Sequence, residues 1–133
     1  MSIKFKDNSQ EILEKFKQAK NNALEAIGMA AEGYVQDETP VDTGRLRHSI
    51  TWASKEHEGF THSYSDNNGN SFSDSVGSGA DEDSVYIGTN VVYAEGIETG
   101  THRKAGGAHM IQRGIQNNQD EYKRLAENEF KNA

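Results

Sequence analysis

Two histidines five residues apart, in His57-Glu58-Gly59-Phe60-Thr61-His62, are the residues of this chain with the most obvious capacity for metal chemistry. A zinc protease signature needs its histidines four apart, so that one helical face carries both. Here the spacing is wrong and a glycine sits between them, so the segment reads as solvated groups flanking a turn. His48, His102 and His109 are scattered, with no third-ligand pattern to unite them. Asp66-Asn67-Asn68-Gly69-Asn70-Ser71 has the composition of a calcium loop but fails in order. Its sixth position is Ser71 where glycine belongs, and its twelfth is Gly77 where glutamate belongs. Gly77-Ser78-Gly79 lacks the third glycine and the strand-to-helix context of a dinucleotide fingerprint. The run Gly100-Thr101-His102-Arg103-Lys104-Ala105-Gly106-Gly107 leads into a helix start, where amides and cations can hold an anion. A connector carrying solvated charge explains the same run with fewer assumptions. No cysteine is present, which removes thiolate metal sites, disulfides and cysteine nucleophiles together. The sequence therefore predicts no catalytic group, no metal and no cofactor.

The richest local pattern is Thr39-Pro40-Val41-Asp42-Thr43-Gly44-Arg45-Leu46. Asp42 or Thr43 suits a helix cap, Gly44 a close backbone approach, Leu46 the core, and Arg45 a carboxylate partner. An architectural turn and a direct interface contact both fit this pattern. A basic set, Arg45, Arg47, Arg103, Lys104 and Arg113, offers an alternative function as a nucleic-acid-binding module. Poor aromatic interleaving argues against a single-strand platform, and a net charge of −7 opposes bulk attraction to a polyanion.

The elements that would position these groups follow from periodicity. Ile12, Phe16, Ala19, Ala23, Ile27, Ala30 and Tyr34, widened by Leu13, Leu24, Ala31 and Val35, predict one amphipathic helix from about Ser9 to Asp37. Asn8 and Glu11 fit a capping box at its start, and Thr39 before Pro40 a stop. A short turn through Arg45 to His48 precedes a strand beginning at Ile50 and Trp52. Glu56 to Gly59 then predicts a turn and Phe60 to Tyr64 the strand that returns on it. Ser65 to Asp83 is almost wholly Ser, Asp, Asn and Gly, and reads as a flexible polar loop or extended hairpin tip within one domain spanning 1–133. Val85 and Ile87 share a strand face, Val91 to Thr101 forms a short helical segment ended by Gly100, and a final helix runs from about His109 to Phe130. The fold class is α+β: a small antiparallel sheet packed with a long N-terminal helix and a C-terminal helix.

With 33% hydrophobic residues in 133 and a mean hydropathy of −0.88, the chain is expected to have unstructured segments, burial supplied by partners, or both. No apolar run approaches the roughly 18 residues of a membrane span, and the first residues lack the apolar stretch of a secretory signal.

The order long helix, Thr39-Pro40-Val41-Asp42-Thr43-Gly44-Arg45-Leu46-Arg47-His48-Ser49, strands ending in Tyr86-Ile87-Gly88-Thr89, then Tyr93-Ala94 and Ile97-Glu98-Thr99-Gly100-Thr101, resembles the tail-completion proteins of long-tailed double-stranded DNA phages. These are also called head–tail joining, neck or minor capsid proteins. The resemblance spans nearly the whole chain outside Ser65 to Asp83. One departure is Ala108-His109-Met110-Ile111, where the family usually carries a proline-containing segment. The resemblance implies a structural virion component that assembles with its own copies, commonly in six-fold rings. It also implies contact with the head connector and the tail-tube or tail-terminator proteins, with DNA only as passing cargo. It would be made in the host cytoplasm and reside in the virion neck or tail. The assembly residues it implies are Pro40, Asp42, Thr43, Gly44, Arg45, Leu46, Tyr93, Glu98, Gly100 and Thr101.

Overall fold

A computed structural model describes residues 6–41, 44–57, 61–77, 80–101 and 105–133. Helix α1 (Ser9–Glu38) is 30 residues long, so it spans about 45 Å. Asp7, not the expected Asn8, caps its start: the Asp7 carboxylate accepts from the Ser9 amide at 2.8 Å and from the Ser9 hydroxyl. Asn8 makes no side-chain cap bond. The helix stops where Thr39 turns extended ahead of Pro40, and the Thr39 hydroxyl donates back to the Val35 carbonyl at 2.6 Å.

After the turn come α2 (Arg45–Ser49), β1 (Thr51–Ser54), β2 (His62–Ser65), β3 (Ser71–Asp74), β4 (Val85–Gly88), α3 (Ala94–Thr99), α4 (Met110–Gln116) and α5 (Gln119–Lys131). The architecture is α+β as expected, with two antiparallel pairs in place of one sheet: β1 with β4, and β2 with β3. The predicted return of Phe60 to Tyr64 onto the Trp52 strand is overturned for residues 62–64, while Phe60, like residues 58 and 59 of the predicted turn, lies outside the described residues. Trp52 lies opposite Ile87, while Tyr64 lies opposite Phe72. The reason is chemical: β1 is buried nearly throughout and needs an apolar partner, which Val85 and Ile87 supply and His-Ser-Tyr-Ser does not.

Part of the Ser65 to Asp83 stretch is thereby the second arm of a hairpin. Its turn is closed by Asp66, whose carboxylate accepts from the Asn68 and Asn70 amides, each at 2.9 Å, with Gly69 at φ 83°. Hydrogen bonds from the Asn70 side chain and then its backbone hold the Asp66 carboxyl below its ordinary range.

The predicted closing helix is broken. Asn117 and Asn118 separate α4 from α5, and the Asn118 side chain and the Tyr122 hydroxyl both donate to the Gly114 carbonyl, at 2.9 and 2.6 Å. Those bonds occupy a carbonyl that a continuous helix would use for the residue-118 amide. The break lets α4 cross α1 so closely that a Cβ on Gly114 would stand 2.5 Å from Val35 Cγ2. Gly28 does the same for the sheet, since a Cβ there would lie 2.5 Å from the Trp52 ring.

The core gathers at the C-terminal end of α1: Val35, Leu46, Ile50, Val91, Ala94 and Met110. Burying side chains such as Val35, Ile50 and Met110 contributes about 1.5–3 kcal/mol each.

Candidate assembly site

The two segments singled out in the sequence meet at this core. Leu46 is buried against Val91 and Ala94, and a chain of hydroxyls ties the same elements together. The Ser49 hydroxyl donates to the Leu46 carbonyl at 2.6 Å, the Thr89 hydroxyl donates to Ser49 at 2.6 Å, and the Val91 amide donates to Thr89 at 3.1 Å. Pro40, Tyr93, Gly100 and Thr101 then line one cleft of about 650 Å³, together with Val92, Ile97, Thr99 and the stretch 105–108. Among its described lining residues Glu95 alone is charged. The surface inside is mostly carbon, which suits an apolar guest better than an anion.

The remaining members of the set do other work. Gly44 stands at φ 94° as the residue before α2, a conformation in which a Cβ is strained, and its carbonyl accepts from the His48 amide at 3.0 Å. Arg45 is not on the cleft lining. Its guanidinium meets Asp74 in a two-pronged bond, 3.1 Å from Nε and 3.2 Å from an Nη, and stacks 3.9 Å from the centre of the Phe72 ring. The Asp74 side chain is only 6% exposed, so α2 and the hairpin share a desolvated ion pair. His48 stacking on Tyr64 adds a second contact across that joint.

Glu98 is likewise not on the lining. Its carboxylate accepts from the Ile111 amide at 2.9 and 3.1 Å and from the Gln112 amide at 3.4 Å, which caps α4 from outside. The connection is tightened by the Ala108 and His109 amides, which donate to the carbonyls of Ile97 and Glu98 at 2.7 and 3.0 Å. A Cβ on Gly107 would fall 2.2 Å from the Glu98 carbonyl, so only glycine permits this return. Asp42 and Thr43 lie outside the described residues, as do Arg103 and Lys104.

The sequence reading missed Asp74, because it lay in a stretch read as solvated loop. The signal was present: Phe72 and Asp74 fall on one strand face by period two and offer an arginine both a ring and a carboxylate. Of the basic set, Arg45 is engaged by Asp74 and Arg47 by Asp37 at 3.4 Å. His57 stacks on Trp52 with centroids 4.3 Å apart, and His62 Nε2 meets Glu32 at 2.7 Å, so the two histidines serve different neighbours. No cluster of three metal-ligating side chains occurs among the described residues, and no helix among them is long and apolar enough to cross a membrane.

Comparison with known families gives a match over residues 3–100 to the family described as "Bacteriophage HK97-gp10, putative tail-component". No curated protein and no solved structure matches the chain. The matched span ends at Gly100, the residue that closes α3, so it takes in both segments of the cleft up to that point. It leaves α4 and α5 outside, a shorter reach than the near-complete resemblance suggested by the sequence. Since the match covers most of the chain, this protein belongs to the HK97-gp10-like family of phage tail components.

Proposed function

We propose that this tail component completes the end of the tail and joins it to the head connector. The observation that carries the reading is the convergence of Pro40 with Tyr93, Gly100 and Thr101 on one apolar cleft inside a family of tail components. An open carbon-lined cleft serves a protein contact, and the chemistry around it is structural: caps, a glycine turn and a hydroxyl chain. In this reading the chain is a single domain over 1–133 that acts without enzymatic activity or cofactor. It forms a ring with its own copies, six in number, between the head connector and the tail-tube or tail-terminator proteins. Pro40, Tyr93, Gly100 and Thr101 make contact, Gly44, Arg45, Leu46 and Glu98 hold them in place, and Asp42 and Thr43 belong to the same turn. Assembly takes place in the host cytoplasm, the final location is the virion neck, and DNA passes through as cargo.

The alternative of a nucleic-acid-binding module loses support because two of its five cations are engaged within the chain. The deciding experiment is negative-stain imaging of particles from a phage lacking this chain. Separate heads and unfinished tails are the expected result; normal, infectious tailed particles would overturn the reading.

A further inference from the structure

The tip of the β2–β3 hairpin holds Asn68-Gly69, the one place in the chain where glycine follows asparagine. Such a pair can react with itself, because the glycine nitrogen can reach the asparagine side-chain carbonyl carbon with no Cβ to obstruct it. The structure also sets Asn68 apart from the other asparagines. Asn22, Asn70, Asn90 and Asn118 have their side-chain amides engaged, with Gln18 at 2.9 Å, Asp66 at 3.1 Å, the Ser75 amide at 3.2 Å and the Gly114 carbonyl at 2.9 Å. Asn21 and Asn128 lie inside α1 and α5, where the following amide is tied into the helix. Asn68 and Gly69 are both exposed, and the Asn68 side chain holds no hydrogen bond to the described residues. A Cβ on Gly69 would meet nothing within 4 Å. The Gly69 amide is held only by a bond of 3.3 Å to the Asp66 carbonyl, longer than the usual range.

We propose that Asn68-Gly69 is a site of spontaneous deamidation and that the Asp66 carboxylate restrains its rate. The Gly69 nitrogen gives its proton to solvent and bonds to Asn68 Cγ. The bond from Cγ to the side-chain nitrogen breaks, ammonia leaves, and a five-membered succinimide closes. Water then opens the ring at either carbonyl. Opening at Cγ gives aspartate in the normal chain, and opening at the backbone carbonyl gives isoaspartate with the chain running through Cγ. Water is consumed, ammonia is released, and nothing is oxidised or reduced. Asp66 slows the first step in two ways. Its carboxylate accepts from the Asn68 and Asn70 amides, each at 2.9 Å, which fixes the chain on both sides of Gly69. Its negative charge also opposes the anion that the Gly69 nitrogen must become. Isoaspartate lengthens the tip by one backbone atom, between an Asp66 amide and an Asn70 carbonyl now joined at 2.9 Å, and sets a second carboxylate near that of Asp66.

The test keeps the full chain in mildly alkaline buffer for days and follows released ammonia, peptide mass maps and labelling by an isoaspartate-specific methyltransferase. Product is expected at residue 68 at least ten times faster than at any other asparagine. Gly69→Ala and Asn68→Gln should each suppress it at least tenfold. Asp66→Ala should speed it at least threefold, and Asp66→Asn, which keeps an acceptor oxygen without the charge, should speed it less. Melting curves of the Asp66 variants should match the wild type, since the tip lies outside the core. No product at residue 68, equal product at other asparagines, or a rate indifferent to Gly69→Ala overturns the site. A rate that neither Asp66 variant raises, or one raised only along with a general loss of melting temperature, overturns the restraint by Asp66.

Discussion

The two ends of α1 carry the same apolar spacing and have opposite fates. Over residues 9–18 every position is exposed, including Ile12, Leu13 and Phe16. From Ala19 onward the helix buries Ala19, Ala23, Gly28, Ala31 and Val35. The buried positions are mostly the small ones. Small residues let β1 and α4 come up to the helix, as Trp52 does at Gly28 and Gly114 does at Val35. At the other end the large Phe16 meets Phe130 of α5 with ring centres 5.3 Å apart, and α5 itself has no buried residue. Periodicity specifies a face, and side-chain size along that face decides how closely a neighbour can cover it.

The widest contrast comes from truncating one residue at each end. Ile50→Ala, in the fully buried cluster on Val35, should cost about 2–5 kcal/mol. Ile12→Ala should stay within about 0.5 kcal/mol, since exposed apolar carbons lose little on removal. Urea titrations of both variants check this, and comparable losses would show that the start of α1 is covered in the isolated chain.

The second comparison sets the polar joint between α2 and the β2–β3 hairpin against that apolar core. Asp74→Ala leaves the Arg45 guanidinium facing a desolvated wall. It should cost about 2–3 kcal/mol, below the usual figure for a buried pair because Arg45 is 28% exposed. Replacing both partners, Arg45→Met with Asp74→Leu, should recover most of that loss. A double variant no better than Asp74→Ala would mean that the pair holds the hairpin by geometry that apolar packing cannot supply.

These contrasts also mark how far the sequence could be read. α1, α2, the Val85 strand and the Gly100 stop were legible because each announces itself within a few neighbours: a stripe, a cap, an alternation, a glycine. Strand partners were not, because the choice of Ile87 over Tyr64 as neighbour of the Trp52 strand depends on what the far face of β1 must bury. Asp74 stayed hidden for a related reason, since its partner lies 29 residues earlier. In the candidate site, Pro40, Gly44, Tyr93 and Gly100 were marked by type. The roles of Arg45 and Glu98 depended on Asp74 and α4, which no local pattern supplies.

At the junction of the core with α5, Tyr122 gives a prediction in pH. Burial, and then the nearby Tyr34 hydroxyl, push its ionisation above the ordinary value of 10.0. The folded chain therefore keeps this proton where the unfolded chain has lost it, so stability falls as pH rises from about 10 through the folded value. Tyr122→Phe should cost about 1 kcal/mol at neutral pH by removing the bond to Gly114, and should flatten the alkaline loss. Melting curves at pH 8 and 10.5 read both effects, and an unchanged alkaline slope would assign the loss to another group.

The smallest effect tests the backbone on either side of the cleft. His109 holds φ 50° and ψ 39°, a left-handed conformation that costs a side-chain-bearing residue about 1–2 kcal/mol, and its amide is fixed on the Glu98 carbonyl. His109→Gly relieves that strain and keeps the amide. Glycine's greater freedom in the unfolded chain returns about 0.4–1 kcal/mol, leaving a gain of about 0.5 kcal/mol. Gly44, at φ 94° on the other segment, is the opposite case, and Gly44→Ala should lower stability by imposing the strain that His109 carries. If both variants shift the melting temperature in the same direction, backbone conformation is not what distinguishes the two turns. In that case the His109 side chain contributes at the start of α4 in its own right.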